Sequence, residues 1–228
     1  MNGDRTLPPK VQEIYQRIWL AIVHRRLRPG SRLKEEELAE LFAVSRARIR
    51  QGLAALERDG LVSHAPNRGA CISEPSADEA SDTFFARAAI ELRLVERLCT
   101  RATPAAIARL RAHVAAERRA HAHGDADAIV RLSGQFHLLV AELVEARFPG
   151  EVLRMLIART SLITAMYQPM QVQACGPDEH AAIVAAIAAG DGARARRLMA
   201  AHLDHLQAGL ERAPRGPASS DIRHALAP

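Results

Sequence analysis

The sequence predicts a mostly α protein, with an N-terminal winged helix-turn-helix followed by a C-terminal all-helical bundle of about six helices. Three observations carry this reading. Two apolar stripes at helical spacing flank a two-residue turn between residues 37 and 58. A short alternating stretch around an Asn-Arg-Gly turn follows them. From Asp78 onward, apolar residues recur at helical spacing among abundant alanines, with Pro and Gly marking the breaks. At 228 residues the chain is long enough for one large domain or two modest ones, each with its own core.

Leu38, Leu41 and Phe42 form the first stripe, and Ile49, Leu53 and Leu56 the second. Ala43-Val44 leaves room only for a sharp turn, and Ser45 stands where a helix N-cap belongs. Two short helices joined in this way present the start of the second to a DNA major groove. That start carries Arg46, Arg48 and Arg50. Alternate helix positions diverge by about 200°, so Arg46 and Arg50 share a face and Arg48 points elsewhere. Arginine forks onto the two acceptors of a guanine edge or clamps a phosphate, so the pair suits base readout with positioning. Ser45 and Gln51 can add contacts. A solvated arginine-rich face is the alternative reading of the same residues.

Asp59-Gly60 closes that helix with a glycine at the C′ position. LVSHAPNRGACIS then predicts two short strands with Pro66-Asn67-Arg68-Gly69 as the turn. A wing with Arg68 at its tip can reach a phosphate or an adjacent minor groove.

These residues resemble a known family. Pro29-Gly30, Leu38-Ala39, Val44-Ser45-Arg46, Arg50, the Leu56…Asp59-Gly60-Leu61-Val62 block and Asn67-Arg68-Gly69 look like the N-terminal domain of GntR-type bacterial transcription regulators, over roughly residues 11–73. The resemblance implies that Ser45, Arg46, Arg50 and Gly69 touch operator DNA. Ala47 and Arg48 replace a common threonine and proline, and Gln51 a common glutamate. Those departures bear on the operator sequence, not on the fold.

Charge follows the same division. Residues 1–75 hold 13 Lys and Arg against 9 Asp and Glu, whereas residues 76–228 hold 18 against 17. The positive excess lies in the predicted DNA-binding third, as phosphate recognition requires. Lys10 and Lys34 are the only lysines. Cys71, Cys99 and Cys175 are dispersed and form no CxxC, which argues against a disulfide framework or a zinc ribbon. The chain opens without an apolar signal region and holds no run near the roughly 18 apolar residues of a membrane span. A cytoplasmic protein with no membrane partner is expected.

The second half predicts helices at about 78–101, 104–123, 126–146, 149–168, 177–189 and 191–212. Thr103-Pro104, Gly124-Asp125, Pro149-Gly150, Gly176-Pro177 and Gly190-Asp191 mark the boundaries. Short connections imply an antiparallel bundle. Domains are expected at 1–75 and 76–212, with residues 213–228 a Pro/Gly/Ser-rich flexible tail.

Histidines are the chemically active residues of this half. His113, His121 and His123 read as surface residues, as does His205. His137 lies in the apolar stretch Phe136–Val140, where an imidazole needs a partner. His180 opens the next-to-last helix and His202 lies in the last. Three histidines from three helices can converge on a divalent metal, although separate core or surface histidines are the plainer reading.

Phe136-His137, Glu179-His180 with Ile183 and Ala186, and Gly190-Asp191, Ala195, Met199 and His202-Leu203 resemble the FCD-type effector domain of the FadR branch of that family. Arg87 with Ile90-Glu91 is similar to its opening motif, and the likeness spans roughly residues 80–210. It implies a homodimer in which three histidines, and an aspartate four residues before the first, hold a metal over which a small organic or sugar acid binds. His137, His180 and His202 match; Ser133 stands at the aspartate position. Serine is a poorer ligand than a carboxylate, so the expectation is a site weaker than its relatives' or metal-free. Three imidazoles and water suffice for zinc in some proteins, and also suit nickel or manganese. Without metal, the histidines and Arg87 would form a partly cationic cavity that holds a carboxylate directly. Arg87, Ser133 and the three histidines are therefore the candidate effector site. A surface salt bridge with Glu91, its i+4 neighbour, is the alternative for Arg87.

The implied function is a ligand-responsive regulator of operator DNA, usually a repressor, and not an enzyme. The alternative is a three-histidine metal-dependent hydrolase or lyase fused to a DNA-binding domain. No carboxylate stands at useful sequence spacing from His137 to serve as a general base.

Overall fold

In the computed structural model, residues 7–65, 68–167, 176–208, 210 and 222–226 are described. The chain divides into two compact units. One comprises Met1–Ser76, Ser161–Met166 and Pro214–Pro228, and the other Ala77–Thr160 with Tyr167–Ala213.

The first unit begins with α1 (Pro9–Val23), a helix the sequence reading did not single out. Its signal is present: Pro9 lies at the first helical position, and Val11, Ile14, Ile18, Ala21 and Ile22 form a buried stripe. Next come α2 (Glu35–Phe42) and α3 (Arg46–Arg58), the pair expected from the two apolar stripes. Strands β1 (Val62–Ala65) and β2 (Gly69–Ile72) pair antiparallel, with Val62 opposite Ile72 and Ala65 opposite Gly69. Arg32 adds an isolated bridge to Cys71. The α1 helix packs on α3, and Gly52 is what lets it approach. A Cβ at Gly52 would stand 2.6 Å from Ile14 Cγ2.

The second unit holds α4 (Ala77–Cys99), α5 (Pro104–His123), α6 (Ala126–Leu143), α8 (Pro177–Ala188) and α9 (Gly192–Ala208), together with most of α7 (Arg147–Tyr167). The expected Thr103 cap is in place, and the boundaries at Asp125 and Asp191 prove to be caps as well. Thr103 Oγ1 accepts from Ala106 N at 3.1 Å, Asp125 Oδ1 from Ala128 N at 3.0 Å, and Asp191 Oδ1 from Arg194 N at 2.9 Å. The α6 helix stops at Leu143, short of the expected 146, because Glu145 takes φ 55° and breaks the helical run. Pro149 and Gly150 then fall inside the first turn of α7, where a missing N–H is tolerated. The end of the last expected helix, 209–212, lies largely outside the described residues.

Within this unit α4 packs on α9, α5 on α6 and α8, and α8 on α9. Their shared core includes Leu98, Leu110, Phe136, Leu153, Ile183 and Met199.

The segment expected to be a flexible tail contains a helical turn. Residues 213–221 and 227–228 lie outside the described residues, but Ile222–Ala225 forms a turn of helix, α10. Ile222, Ala225 and Leu226 are buried. The Pro/Gly/Ser composition of 213–221 concealed this apolar i, i+3, i+4 face.

Candidate functional site

Two sites can be built from these elements. In the first unit, Ala43 adopts φ 51°, which ends α2 and turns the chain within two residues. Ser45 is extended, and its Oγ accepts from Arg48 N at 3.4 Å, capping α3. Arg46 and Arg50 do share a face: their guanidinium nitrogens stand 3.5 and 3.3 Å from the same oxygen, Glu35 Oε2. Both remain exposed, with relative side-chain areas of 62% and 60%. Arg48 points elsewhere and lies 3.5 Å from Gln51 Oε1. On the wing, Arg68 Nη2 reaches Gly30 O at 3.4 Å. Gly69 has φ +74° with open space where a Cβ would stand, so backbone conformation alone calls for glycine. Pro66 and Asn67 lie outside the described residues. Glu35 escaped the sequence reading because it is 11 and 15 residues from its partners.

In the second unit, His137 on α6, His180 on α8 and His202 on α9 converge, with ligand atoms all within 4.8 Å of one another. All three residues are almost fully buried. Each Nδ1 faces a carboxylate: His137 that of Glu91, His180 that of Glu117 at 2.8 Å, and His202 that of Glu179 at 2.8 Å. With Nδ1–H donating outward, each Nε2 keeps its lone pair, the tautomer a metal requires. His137 Nε2 and His202 Nε2 are 3.4 Å apart. Two nitrogens bound at about 2.0–2.1 Å to a tetrahedral zinc stand about 3.3 Å apart. Phe136 stacks on His180 with ring centroids 3.9 Å apart, fixing that ring.

The electrostatics favour a cation. Around the three imidazoles stand the carboxylates of Glu91, Glu117 and Glu179 and the guanidinium of Arg87. Burial by itself would raise the Glu91 carboxyl, but Arg87 and His137 outweigh it and bring it from 4.5 to about 2. Burial also opposes ionisation of Glu117, but hydrogen bonds from His113 and His180 hold it below its ordinary value. The His202 hydrogen bond does the same for Glu179. With the imidazoles in the neutral form that binds metal, these three carboxylates outnumber the Arg87 guanidinium among the described residues, an excess that a divalent ion would offset. The donor set fits such an ion.

Arg87 is buried, not a surface residue. Its Nε donates to Glu91 Oε1 at 2.7 Å, so the i+4 pair forms, but inside the protein. Nη1 lies 3.4 Å from Thr160 Oγ1, and Nη2 is buried without a hydrogen-bond partner among the described residues. A buried N–H of a cation left in this state is costly, and an anionic ligand would relieve it. Ser133 sits half-buried on α6, one turn before His137. Among the described residues no carboxylate or thiolate joins the three histidines as a fourth ligand.

Two expectations need correction. A carboxylate does stand beside His137: Glu91, contributed by α4 from 46 residues away. Both of its oxygens are occupied, by Arg87 and His137, so it positions these groups and is not poised as a general base. His113 is not a surface residue; it is half-buried, with Nε2 2.9 Å from Leu132 O and 3.6 Å from Glu117 Oε1. His205 is exposed, and pairs with Glu179 at 2.9 Å.

Comparison with known proteins decides the family. Residues 82–205, over half of the chain, match the FCD domain, and residues 10–72 match the bacterial regulatory proteins of the gntR family. The chain belongs to the GntR-type transcription regulators that carry an FCD domain. It is 26% identical over 199 residues to the HTH-type transcriptional repressor RspR of Escherichia coli K12, covering 87% of each chain. Its fold resembles a GntR protein from Rhodococcus sp. RHA1, with a TM-score of 0.72 at 22% identity, covering 89% of this chain and 98% of the other. It likewise resembles E. coli McbR/YncC, with a TM-score of 0.72 at 20% identity, covering 87% and 95%. This GntR/FCD regulator is thus a DNA-binding protein with a ligand-binding effector domain. The comparisons give the hydrolase or lyase alternative no support. Among the described residues, no helix is long and apolar enough to cross a membrane.

Proposed function

We propose that this regulator is a cytoplasmic homodimeric repressor, without enzymatic activity, whose operator affinity changes when a small carboxylate metabolite binds residues 76–212. The observation that carries this reading is the convergence of three buried imidazoles beside a buried guanidinium with an unmet N–H. His137, His180 and His202 would hold a divalent ion, with zinc the first choice and nickel or manganese as alternatives. That ion would supply a Lewis-acid seat for one carboxylate group. Arg87 contributes a fixed positive charge, Ser133 a hydroxyl, and Glu91, Glu117 and Glu179 orient the imidazoles.

Residues 1–75 would read DNA through Ser45, Arg46, Arg48, Arg50, Arg68 and Gly69. One recognition helix makes few base contacts, so a two-fold dimer reading a palindrome with half-sites about 34–36 Å apart is the workable assembly. The effector acts by population shift: it favours a placement of the two DNA-binding units that mismatches this spacing, and so must bind the two states with different affinity.

The test starts from a duplex selected in vitro from random sequence by the zinc- or nickel-loaded protein. Operator affinity is then followed by fluorescence anisotropy while acetate, lactate, citrate and gluconate are titrated in, with acid binding measured separately by calorimetry. The expected result is an acid that binds and shifts operator affinity by about 5–150-fold. An acid that binds while operator affinity stays constant contradicts the proposal.

A further inference from the structure

Both family matches end before residue 206, yet the chain takes up structure again well beyond them. Ile222, Ala225 and Leu226 lie at i, i+3 and i+4, so one turn of helix brings them to one face, and all three are at most 5% exposed. This turn packs on α2. Arg223 pairs with Glu40 of α2, and Arg17 of α1 donates from Nη2 to the Leu226 carbonyl. The same Arg17 guanidinium lies over the Phe42 ring, 4.7 Å from its centroid. A four-residue helix does not hold together alone in water, so its docking surface must hold it. The Arg223–Glu40 pair is exposed on both sides and worth little. The apolar face carries the contact.

We propose that residues 222–226 are a clasp: an intramolecular ligand of the α1–α2 surface that fastens the DNA-binding unit to the end of the chain. The unit is then attached twice, once where residue 76 runs into α4 and once through the clasp. Residues 209–221, between the end of α9 and Ile222, reach at most roughly 45–50 Å when fully extended. A closed clasp makes the helix-turn-helix part of a chain loop that runs from α4 to Ile222; an open clasp leaves only the connection at residue 76. The inference is independent of the metal and effector site, because every contact named lies in the first unit.

Hydrogen exchange of the full-length protein, read by mass spectrometry, tests this with two variants. Ile222→Asp removes the apolar contact and is expected to raise exchange several-fold in α2 and the second half of α1, with residues 77–160 unchanged. Arg223→Ala removes only the exposed pair and is expected to change little. Unaltered exchange in α1–α2 of Ile222→Asp overturns the clasp. A rise spread through residues 77–160 also overturns it, since Ile222 would then hold the whole fold. Loss of α1–α2 protection when the native protein is diluted overturns the intramolecular assignment, because the docked segment would come from a second copy.

Discussion

His137 and His202 face each other Nε2 to Nε2 across 3.4 Å, in a part of the bundle where neither ring reaches solvent. When both Nδ1–H groups donate to Glu91 and Glu179, the two Nε2 lone pairs of the neutral rings aim at one point. That is unfavourable until a cation lies between them. Adding zinc at about 100 times its dissociation constant should therefore raise unfolding free energy by about 2.7 kcal/mol, visible as a higher Tm. His180→Ala should abolish most of that shift.

Glu91 carries two tasks, since one oxygen takes Arg87 and the other His137. Glu91→Gln leaves the Arg87 charge buried without a counter-charge, and should destabilise the effector domain by about 3–5 kcal/mol in urea titrations. It should also weaken zinc binding about 10–100-fold in chelator competition, because the ligand's outer partner is lost. A variant matching the native protein in both respects would show that Glu91 neither compensates nor orients.

The depressed carboxyls set an acid limit. Glu91 has a folded value of about 2 against an ordinary 4.5, and Glu117 and Glu179 are lowered as well. Groups lowered on folding stabilise the native state fully above the ordinary value, and lose that contribution as pH falls toward the folded one. Metal-free protein should thus lose stability progressively below about pH 4.5, and Glu91→Gln should lose less over the same interval. Denaturant midpoints measured at stepped pH check both.

On the DNA side, Arg46 and Arg50 converge on Glu35 while Arg48 does not. Arg50→Ala should weaken binding to the selected duplex by about 1–3 kcal/mol and relax sequence preference at one base position. If Arg48 contacts only phosphate, Arg48→Ala should weaken all duplexes about equally and reduce the salt dependence by about one ion. Anisotropy titrations at several salt concentrations separate the two patterns.

Gly52→Ala tests the approach of α1 to α3. The added methyl meets Ile14 Cγ2 at 2.6 Å, and a β-branched side chain cannot easily swing aside. A loss of about 1–3 kcal/mol is expected in thermal unfolding of the DNA-binding unit, without change in zinc affinity.

Much of this was legible in the sequence. Ser45 and Thr103 announced their helices by local capping chemistry, and short-range rules suffice where partners lie three or four residues apart. His137, His180 and His202 were candidates for one metal site from the residues alone, but only the family likeness favoured that over separate core histidines, because 43 residues separate the first two and no spacing rule reaches that far. Glu91 was visible as the i+4 neighbour of Arg87, but not as the partner of His137, since that contact depends on α4 packing against α6. His113 was misread because an exposed-looking helix turned one polar side chain toward Leu132 O. The burial of Ile222 and Leu226 required knowing that α2 offered them a surface.

Elemental analysis of protein purified without chelators, beside His137→Ala, tests the central claim most directly. About one divalent ion per subunit, absent from the variant, is the result expected if three carboxylate-braced imidazoles form a metal site. Native protein that carries no ion, and that takes none up on dialysis against zinc or nickel, would contradict it.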